Sequence, residues 1–318
     1  MALVLREKHV RFLLSMRDAV EVLEAAFSAQ VQGTALNQPR TRLKFAHGVL
    51  NILAAVAPAF GVLGTKTYTA FREGVRFVVM LFSAQDGQLL AIIEADWLGS
   101  MRTGAASALA TKYLARPDAE VVGLIGAGKQ AVTQLMGMCA VTHISTAYVY
   151  CRRAEEREVF CNEMTRLLNI DVRPVSSARQ VVEVADILIT ATSSREPVID
   201  GSWLRPGCHI NAIGSNWAQR RELDSRTLQR CSLIVTDSLD QAHIEAGDLL
   251  IPAQEGLFDW SNVYEMAEMV GGSTPLRAPE EITLYKGLGI ALEDVATAAH
   301  VYNLARKHGL GEEIALLD

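Results

Sequence analysis

The sequence predicts an α/β protein that combines a parallel sheet covered by helices with an antiparallel sheet nearer the N-terminus. In EVVGLIGAGKQAV (120–132), an apolar run breaks into a glycine turn and continues as a helical stretch. Apolar runs and helical stretches then alternate as far as LIVTDS (233–238), which is typical of a parallel sheet. Upstream, short runs that begin at glycine occupy residues 48–82 and indicate antiparallel strands.

The elements before residue 120 follow from local patterns. Residues 16–32 place apolar side chains at helical spacing and predict an amphipathic helix. Three strands are expected, at GVLNILAAV (48–56), GVLGTKTYTAF (61–71) and GVRFVVMLF (74–82). The Asp86-Gly87 pair that follows them predicts a hairpin turn. The Ala-rich stretch 96–114 contains no proline and predicts a long helix.

From residue 120 onward, the alternation predicts a parallel sheet with helices on both faces. After EVVGLI, the expected strands are STAYVYC, DVRPV, DILITATSS, HINAIGS and LIVTDS. The expected helices include KQAVTQLMGMCAV and the charged RRAEEREVFCNEMTRLL. The segment 279–305 is also predicted to be helical, and the apolar stripe of LYKGLGIALEDVATAAHVYNLA predicts that it packs on a partner surface.

The composition narrows the class of protein. Of the 318 residues, 50% are hydrophobic, so the chain can bury a sizeable core. The net charge of −6 argues against nucleic acid or an anionic membrane surface as a partner. The five cysteines lack a C-x-x-C pair, which favours reduced thiols, and no metal site is expected. Because no run approaches the roughly 20 apolar residues of a membrane span, and the N-terminus does not resemble a signal peptide, we expect a cytoplasmic protein.

The glycine turn is expected to bind a dinucleotide. Gly126 can adopt a backbone angle closed to other residues, and Gly128 lets the backbone approach a pyrophosphate. The helix that follows offers free N–H groups and the positive end of its dipole. We therefore interpret Gly126, Ala127, Gly128, Lys129 and Gln130 as cofactor-binding residues.

The end of the second strand indicates which nucleotide binds. An acidic residue there would bind the ribose hydroxyls of NAD, but this chain has Cys151, Arg152 and Arg153. Without a carboxylate to repel it, a 2′-phosphate can pair with a guanidinium, so NADP(H) is preferred and NAD(H) is the alternative. Thr192 and Ser193 follow another strand and are expected near the nicotinamide, because open α/β sheets bind ligands at the carboxyl ends of their strands.

Three basic residues outside the nucleotide region are candidates for binding an anionic substrate. Arg40 lies in NQPRTRL, Lys66 lies within an apolar strand, and Arg102 lies near the start of the Ala-rich helix. A lysine buried without a partner is costly, so Lys66 needs an anionic partner or a route to solvent. Each residue alone is equally well explained as a snorkelling or ion-paired side chain, whereas all three in one cleft would form a carboxylate clamp.

A resemblance to a known family rests on six motifs. PRTRL, GTKTY, RTGAASALATKYLA, GLIGAGKQA, HINAIGS and TLYKGLGIALED occur in this order along nearly the whole chain. Together they resemble the ornithine cyclodeaminase/mu-crystallin family. The resemblance implies a Rossmann-type nucleotide domain, residues 116–289, inserted in an α+β substrate-binding and dimerisation domain made of residues 1–115 and 290–318. It therefore also implies a homodimer.

The resemblance further implies the roles of individual residues. Arg40, Lys66 and Arg102 match positions that bind the substrate carboxylate, and Lys66 and Arg102 are the candidate catalytic residues. Thr103 matches a position that contacts the cofactor. Asn216, expected to bind substrate, stands where the cyclodeaminases have an aspartate, and an amide cannot act as a general base at neutral pH.

Members of that family act on α-amino or α-imino acids with a nicotinamide cofactor. The expected reaction is the reduction of a cyclic imino acid such as Δ1-pyrroline-2-carboxylate by NAD(P)H, with Lys66 as a candidate proton donor. One alternative is an ornithine cyclodeaminase, which Asn216 disfavours, and another is an alanine dehydrogenase-like oxidoreductase. A protein that binds the nucleotide without catalysis is a further alternative, and the presence of both Lys66 and Arg102 argues against it.

Other polar residues are interpreted as structural or surface features. His209 lies in an expected buried strand, and His243 and Glu245 lie at an expected helix start. Asp237 and Asp294 are interpreted as helix caps or ion-pair partners.

Ala57 stands where the family often has methionine, and this departure affects the expected shape of the substrate pocket.

Overall fold

The structure is a computed structural model that describes residues 1–316. The chain forms two compact units: a split unit, made of Met1–Ala105 and residues 289–316, and a continuous unit, Ala106–Leu288. In chain order, the strands are β1 (Ala2–Leu5), β2 (Leu36–Phe45), β3 (Gly48–Ala57), β4 (Val62–Phe71), β5 (Gly74–Ser83), β6 (Leu89–Glu94), β7 (Val121–Ile125), β8 (Thr146–Tyr150), β9 (Asp171–Pro174), β10 (Ile187–Thr190), β11 (His209–Ala212), β12 (Cys231–Thr236), β13 (Val263–Glu265), β14 (Ile282–Lys286) and β15 (Glu312–Ile314). The helices are α1 (Glu7–Leu13), α2 (Met16–Val31), α3 (Asp96–Leu114), α4 (Lys129–Val141), α5 (Ala154–Leu168), α6 (Ala178–Val182), α7 (Ser225–Arg230), α8 (Leu239–Glu245), α9 (Gly247–Gln254), α10 (Met266–Val270) and α11 (Ala291–His308).

The split unit is built on one sheet, whose strand order across the described residues is β15-β1-β6-β5-β4-β3-β2. Neighbouring strands are antiparallel except for β1 and β6, which are parallel. Along β3 the side chains alternate between a buried face, which includes Leu53, and an open face, which includes Ile52. Helix α11 packs on β3 and β4, so one face of the sheet forms the core of this unit.

The continuous unit is built on a parallel sheet with the strand order β13-β12-β14-β11-β10-β7-β8-β9. From β7 the chain continues outward to β8 and β9, and it then returns to form β10 on the other side of β7. This reversal opens a crevice at the carboxyl ends of β7 and β10, where α/β sheets of this kind bind ligands. Leu124, Leu188 and Ile210 on three adjacent strands are fully buried, as expected for a sheet covered on both faces.

The predicted helix at 279–305 is wrong in its first part. Ile282–Lys286 forms β14, which pairs with β11 and β12 inside the parallel sheet, and α11 begins only at Ala291. All five side chains of β14 are buried, and its sequence ITLYK contains β-branched and aromatic residues that favour a strand. A strand buried on both faces shows no polar alternation, so hydrophobic periodicity alone does not distinguish it from a buried helix.

The chain passes between the two units after Ala105 and again after Leu288. The sequence led us to expect these boundaries after residues 115 and 289. Because α3 runs from Asp96 to Leu114, the first boundary falls within this helix rather than after it. Within residues 1–316, we find no helix with the length and apolar character required to span a membrane.

Candidate functional site

The glycine turn connects β7 to α4. Gly126 has a φ of +113°, and a Cβ at this position would overlap the carbonyl oxygen of Ala191. By contrast, a Cβ on Gly128 would meet no heavy atom of the described chain within 4 Å. Gly128 is the N-cap of α4 and carries no side chain that could cap the helix. The first turn of α4 therefore presents backbone N–H groups beside an open space, as an anion-binding site requires.

This turn borders a cleft of about 940 Å³ within the continuous unit. The cleft brings together every site residue that the sequence predicted in this unit. They are Gly126, Ala127, Gly128, Lys129, Gln130, Cys151, Arg152, Arg153, Thr192, Ser193 and Asn216. Trp217 and Arg220 also line the cleft, although the sequence did not single them out.

The two arginines after β8 differ in their surroundings. Arg153 forms an ion pair with Glu156 at 2.6 Å, and its side chain is 78% exposed. Arg152 lines the cleft and forms no ion pair with any residue in the range 1–316. Cys151 donates a hydrogen bond from its thiol to the carbonyl oxygen of Arg153. The guanidinium of Arg152 is therefore less neutralised by the protein than that of Arg153.

In the split unit, Lys66 finds the anionic partner that its burial requires. Its side chain is only 4% exposed, and its Nζ lies 2.7 Å from the Oδ1 of Asp294 on α11. The Phe77 ring lies beside it, 5.1 Å from Nζ to the ring centroid. A Cβ on Gly99 would lie 3.1 Å from Nζ, so the absence of a side chain there leaves room for the ammonium group.

Arg102 and Arg40 converge on the same region. Arg102 donates from Nε to Asp294 Oδ1 at 3.0 Å and from Nη1 to Glu293 Oε2 at 2.7 Å. Arg40 donates from Nη2 to the carbonyl oxygen of Gly289 at 2.7 Å. Gly289 has a φ of +76°, and a Cβ there would lie 2.5 Å from Nη1 of Arg102. A glycine at this position therefore allows both arginines to approach the same stretch of backbone.

We call Arg40, Lys66, Arg102, Glu293 and Asp294 the buried ionic cluster. It contains three basic and two acidic side chains. Burial lowers the pKa of Lys66 to about 8, Asp294 opposes this shift, and Arg102 and Arg40 add to it. Burial raises the pKa of Asp294, but Arg102 and Lys66 outweigh this effect and hold it below its usual range. Lys66 and Asp294 are therefore both charged at pH 7, and the cluster can attract a small anion.

The predicted site residues thus form one group in each unit. The split unit brings together Arg40, Lys66 and Arg102, and it also contains Thr103, whose hydroxyl donates to the carbonyl oxygen of Gly99 at 2.7 Å. Asn216 follows β11 and lines the cleft of the continuous unit.

Sequence reasoning did not single out Glu293 as a partner of the clamp. Asp294 was interpreted as a cap or an ion-pair partner, and it is an ion-pair partner. The sequence did contain a signal that Glu293 and Asp294 have cationic partners, because two adjacent acids in the otherwise apolar run GIALEDVA must be paired if they are buried. What the sequence did not contain was the identity of the partners, which lie about 190 and 230 positions away.

His209 is fully buried in β11, and its Nδ1 lies 2.9 Å from the hydroxyl of Thr283. Burial lowers the pKa of His209 to about 3, so the ring is neutral at pH 7. In the part of the chain that the structure describes, no group of three His, Cys, Asp or Glu side chains could hold a metal ion.

The parallel sheet, its reversal beside β7 and the open glycine turn define a Rossmann-type dinucleotide-binding fold. A sequence profile of the ornithine cyclodeaminase/mu-crystallin family matches residues 1–309, and the chain belongs to this family. The α/β fold and the family resemblance expected from the sequence are therefore both confirmed.

Known relatives cover nearly the whole chain. It is 32% identical over 323 residues to the Delta(1)-pyrroline-2-carboxylate reductase of Bacillus cereus, covering 98% of this chain and 99% of the relative. The structure of the Thermococcus litoralis Delta(1)-pyrroline-2-carboxylate reductase with NADH and L-proline matches with a TM-score of 0.95 and 37% identity, over 98% of this chain and 100% of the other. An archaeal alanine dehydrogenase dimer with bound NAD matches with a TM-score of 0.93 and 31% identity, over 99% of both chains.

Proposed function

We propose that the protein is an NAD(P)H-dependent oxidoreductase that reduces the C=N bond of a cyclic imino acid of the Δ1-pyrroline-2-carboxylate type, giving an L-amino acid. The observation that carries this proposal is the contact of Lys66 and Arg102 with one oxygen of Asp294. Asp294 thereby holds two cations in fixed positions within the buried ionic cluster. Such a cluster suits a small carboxylate substrate, and the reductases among the relatives support the same substrate class.

The residues of the cleft fit a nicotinamide dinucleotide. The open space at Gly128, which a Cβ would fill, suits close approach of a pyrophosphate to the backbone of Gly126–Gln130. Thr192 and Ser193 would border the nicotinamide end, and Thr103 is proposed as a further contact with the cofactor. When bound, the cofactor supplies a hydride to the substrate.

We infer a preference for NADP(H), with NAD(H) as the alternative. No carboxylate follows β8 directly, and Arg152 lines the cleft without an ion pair in the described chain, so a 2′-phosphate would find a guanidinium there. The alternative is supported by two solved relatives, which contain NADH and NAD.

The split unit is proposed to bind the substrate and to supply a proton. Arg40 and Arg102 would hold the substrate carboxylate by hydrogen bonds from their guanidinium groups. Lys66, with a pKa of about 8, is protonated at pH 7 and can donate to the substrate nitrogen, unless the imine arrives already protonated. Asn216 would orient the substrate by hydrogen bonds, but it cannot accept a proton at neutral pH. The cyclodeaminase reaction, which needs more proton transfers, is therefore disfavoured.

We also infer a homodimer. The open face of the split unit's sheet exposes Leu36 on β2, Ile52 and Val56 on β3 and Val78 on β5, which are each 36–64% exposed. An apolar face of this kind favours burial against another surface. The dimeric alanine dehydrogenase relative supports a second copy of the chain as that surface. Sedimentation equilibrium should give twice the chain mass of 34.6 kDa, and a mass of one chain would contradict the inference.

A spectrophotometric screen tests the proposed function. Oxidation of NADPH and NADH would be followed at 340 nm with Δ1-pyrroline-2-carboxylate, with Δ1-piperideine-2-carboxylate, and with pyruvate plus ammonia. We expect the cyclic imino acids to be the faster substrates. Turnover of pyruvate and ammonia alone would favour an alanine dehydrogenase instead. Conversion of ornithine to proline without added reductant would favour a cyclodeaminase, and cofactor binding without any turnover would favour a binding protein.

A further inference from the structure

Two loops of the continuous unit form one side of the cleft. They follow β10 and β11 and contribute Thr192–Ser194 and Ile213–Trp217 to its lining. The glycine turn after β7 and the residues after β8 line the other side. In a doubly wound sheet, the half that contains β7 and β8 takes the adenosine part of a dinucleotide. The loops after β10 and β11 therefore belong to the nicotinamide part.

Glu222 connects these two loops without lining the cleft itself. Its Oε1 accepts hydrogen bonds from the backbone N–H of Thr192 at 2.7 Å and from the Thr192 hydroxyl at 2.6 Å. Its Oε2 accepts from the Thr190 hydroxyl at 2.9 Å and from the backbone N–H of Gly214 at 2.8 Å. The carboxylate is fully buried and accepts four hydrogen bonds, two on each oxygen. Four donors on one buried carboxylate fix the spacing of the strands and loops that supply them.

The packing at Gly214 makes this spacing sensitive to small changes. A Cβ at Gly214 would overlap both the Glu222 carboxylate and the carbonyl oxygen of Thr192. The loop after β11 therefore lies directly against Glu222 and against the loop after β10. A change at Glu222 is consequently expected to move both loops together.

Asp248 and Lys286 support the backbone of Glu222 and the loop after β11. Asp248 Oδ1 accepts from the backbone N–H of Glu222 at 2.6 Å and from that of Leu223 at 2.9 Å. Lys286 Nζ lies 2.9 Å from Asp248 Oδ2 and donates to the carbonyl oxygen of Ser215 at 2.6 Å. Both side chains have 0% exposure, so the two charges are buried and compensate each other. The second loop is thus anchored twice, through Gly214 and through Ser215.

We propose that Glu222, supported by Asp248 and Lys286, is a positioning residue that holds the nicotinamide side of the cleft in its binding geometry. The inference rests on the proposed binding of a nicotinamide dinucleotide. It assigns a role to a residue that would touch neither cofactor nor substrate and would act only through Thr192, Gly214 and Ser215.

The test compares two probes, NADH and ADP-ribose, by titration calorimetry at one pH. ADP-ribose contains the adenosine and the pyrophosphate but no nicotinamide. In Glu222→Gln, an amide NH₂ would face two of the four donors, so the loops should separate. We expect the Kd of NADH to rise about tenfold, whereas the Kd of ADP-ribose should change by less than about twofold. Thr190→Val removes one donor while keeping the side-chain shape, and it should shift the ratio of the two Kd values in the same direction by about threefold. This second variant decides the question if Glu222→Gln does not fold.

Asp186→Asn is the matched control. Asp186 accepts from the backbone N–H groups of Glu120 and Val121 at the opposite, amino-terminal end of the strands. It should lower thermal stability and leave the ratio of the two Kd values unchanged. If Glu222→Gln raised the Kd of NADH and the Kd of ADP-ribose by the same factor, or changed neither Kd, the inference would be overturned. Failure of the unsubstituted protein to bind NADH, NADPH and ADP-ribose alike would instead overturn the proposed function.

Discussion

Asp294 on α11 holds Lys66 on β4 in a buried ion pair of 2.7 Å, although the two residues are 228 positions apart in the chain. The same carboxylate oxygen also accepts from Arg102. Asp294 thus opposes the loss of the Lys66 proton that burial favours. The proposed proton donor and the proposed carboxylate ligand therefore both depend on one acidic residue that would not need to contact the substrate.

Asp294→Asn should lower the pKa of Lys66 below about 8, because the substitution removes the group that raises it. Lys66 is then deprotonated at a lower pH, and the falling limb of kcat/KM against pH should move in the acidic direction. Removing one partner of a buried ion pair should also lower the free energy of unfolding by about 3–5 kcal/mol, measured in urea. Asp186→Asn, in the other unit, should lower stability without moving the pH profile. An unmoved profile in Asp294→Asn would contradict this role.

Lys66→Ala should lower kcat by about 100-fold at pH 7, because the variant lacks the proposed proton donor. A rise in KM with kcat unchanged would show that Lys66 only binds the substrate. Lys66→Arg keeps the positive charge but has no ionisation near pH 8, so it serves as the matched control.

The ionisation of Lys66 should also be visible in the binding of an inhibitor. Pyrrole-2-carboxylate has no basic nitrogen, so the pH dependence of its Ki reports the protein rather than the ligand. Lys66 is charged below its pKa of about 8 and loses its charge above it. The Ki should therefore be constant below pH 8 and rise above it, whereas in Lys66→Arg it should stay constant. A rise in both proteins would assign the titration to another group.

Gly128→Ala and Gly126→Ala should separate cofactor binding from folding. Gly128 has a φ of −91° and free space around its missing Cβ, so alanine should fold normally there and weaken NAD(P)H binding by about tenfold or more. Gly126 has a φ of +113°, so alanine should cost about 1–3 kcal/mol of folding stability. Thermal unfolding and fluorescence titration with the cofactor measure the two effects. Normal binding in Gly128→Ala would contradict the assigned pyrophosphate position.

Arg152→Ala should raise the Kd of NADPH by about tenfold and leave the Kd of NADH within about twofold of its original value. Arg153→Ala is the control, because Arg153 is exposed and already paired with Glu156. Arg153→Ala should raise the Kd of NADPH by a smaller factor than Arg152→Ala does. Equal losses for NADPH and NADH in Arg152→Ala would contradict the proposed contact with a 2′-phosphate and favour the NAD(H) alternative.

Local patterns predicted much of the fold. The helices Asp96–Leu114 and Lys129–Val141 begin and end where the sequence placed them, because helical composition and the glycine turn are local signals. The strand Ile282–Lys286 was predicted as part of a helix, since its burial on both faces depends on β11 and β12, which are distant in the chain. The secondary structure of such a segment depends on its pairing with distant strands, and a short window of sequence does not show this pairing.

The site was predictable to a different degree in each unit. In the continuous unit, the cofactor-binding positions occur close to strand ends that the pattern already located, so the residues expected in one cleft do line one cleft. In the split unit, the three basic residues could be named from the sequence, and Lys66 stood out because it lies within an apolar strand. Their partners depend on α11 packing against the sheet, and Glu222 is an acid whose four donors come from three residues in two separate segments. Neither the ion pairs of the three basic residues nor the four hydrogen bonds of Glu222 follow a sequence spacing from which they could be predicted.

The most direct test of the proposed function follows the hydride itself. The protein would be incubated with Δ1-pyrroline-2-carboxylate and 4,4-dideuterated NADPH or NADH, and the product would be analysed by mass spectrometry and NMR. We predict L-proline that carries one deuterium at C2, formed in equal amount to the oxidised cofactor. L-Proline without deuterium, or no proline while the cofactor still binds, would contradict the proposal that this protein reduces the C=N bond of a cyclic imino acid.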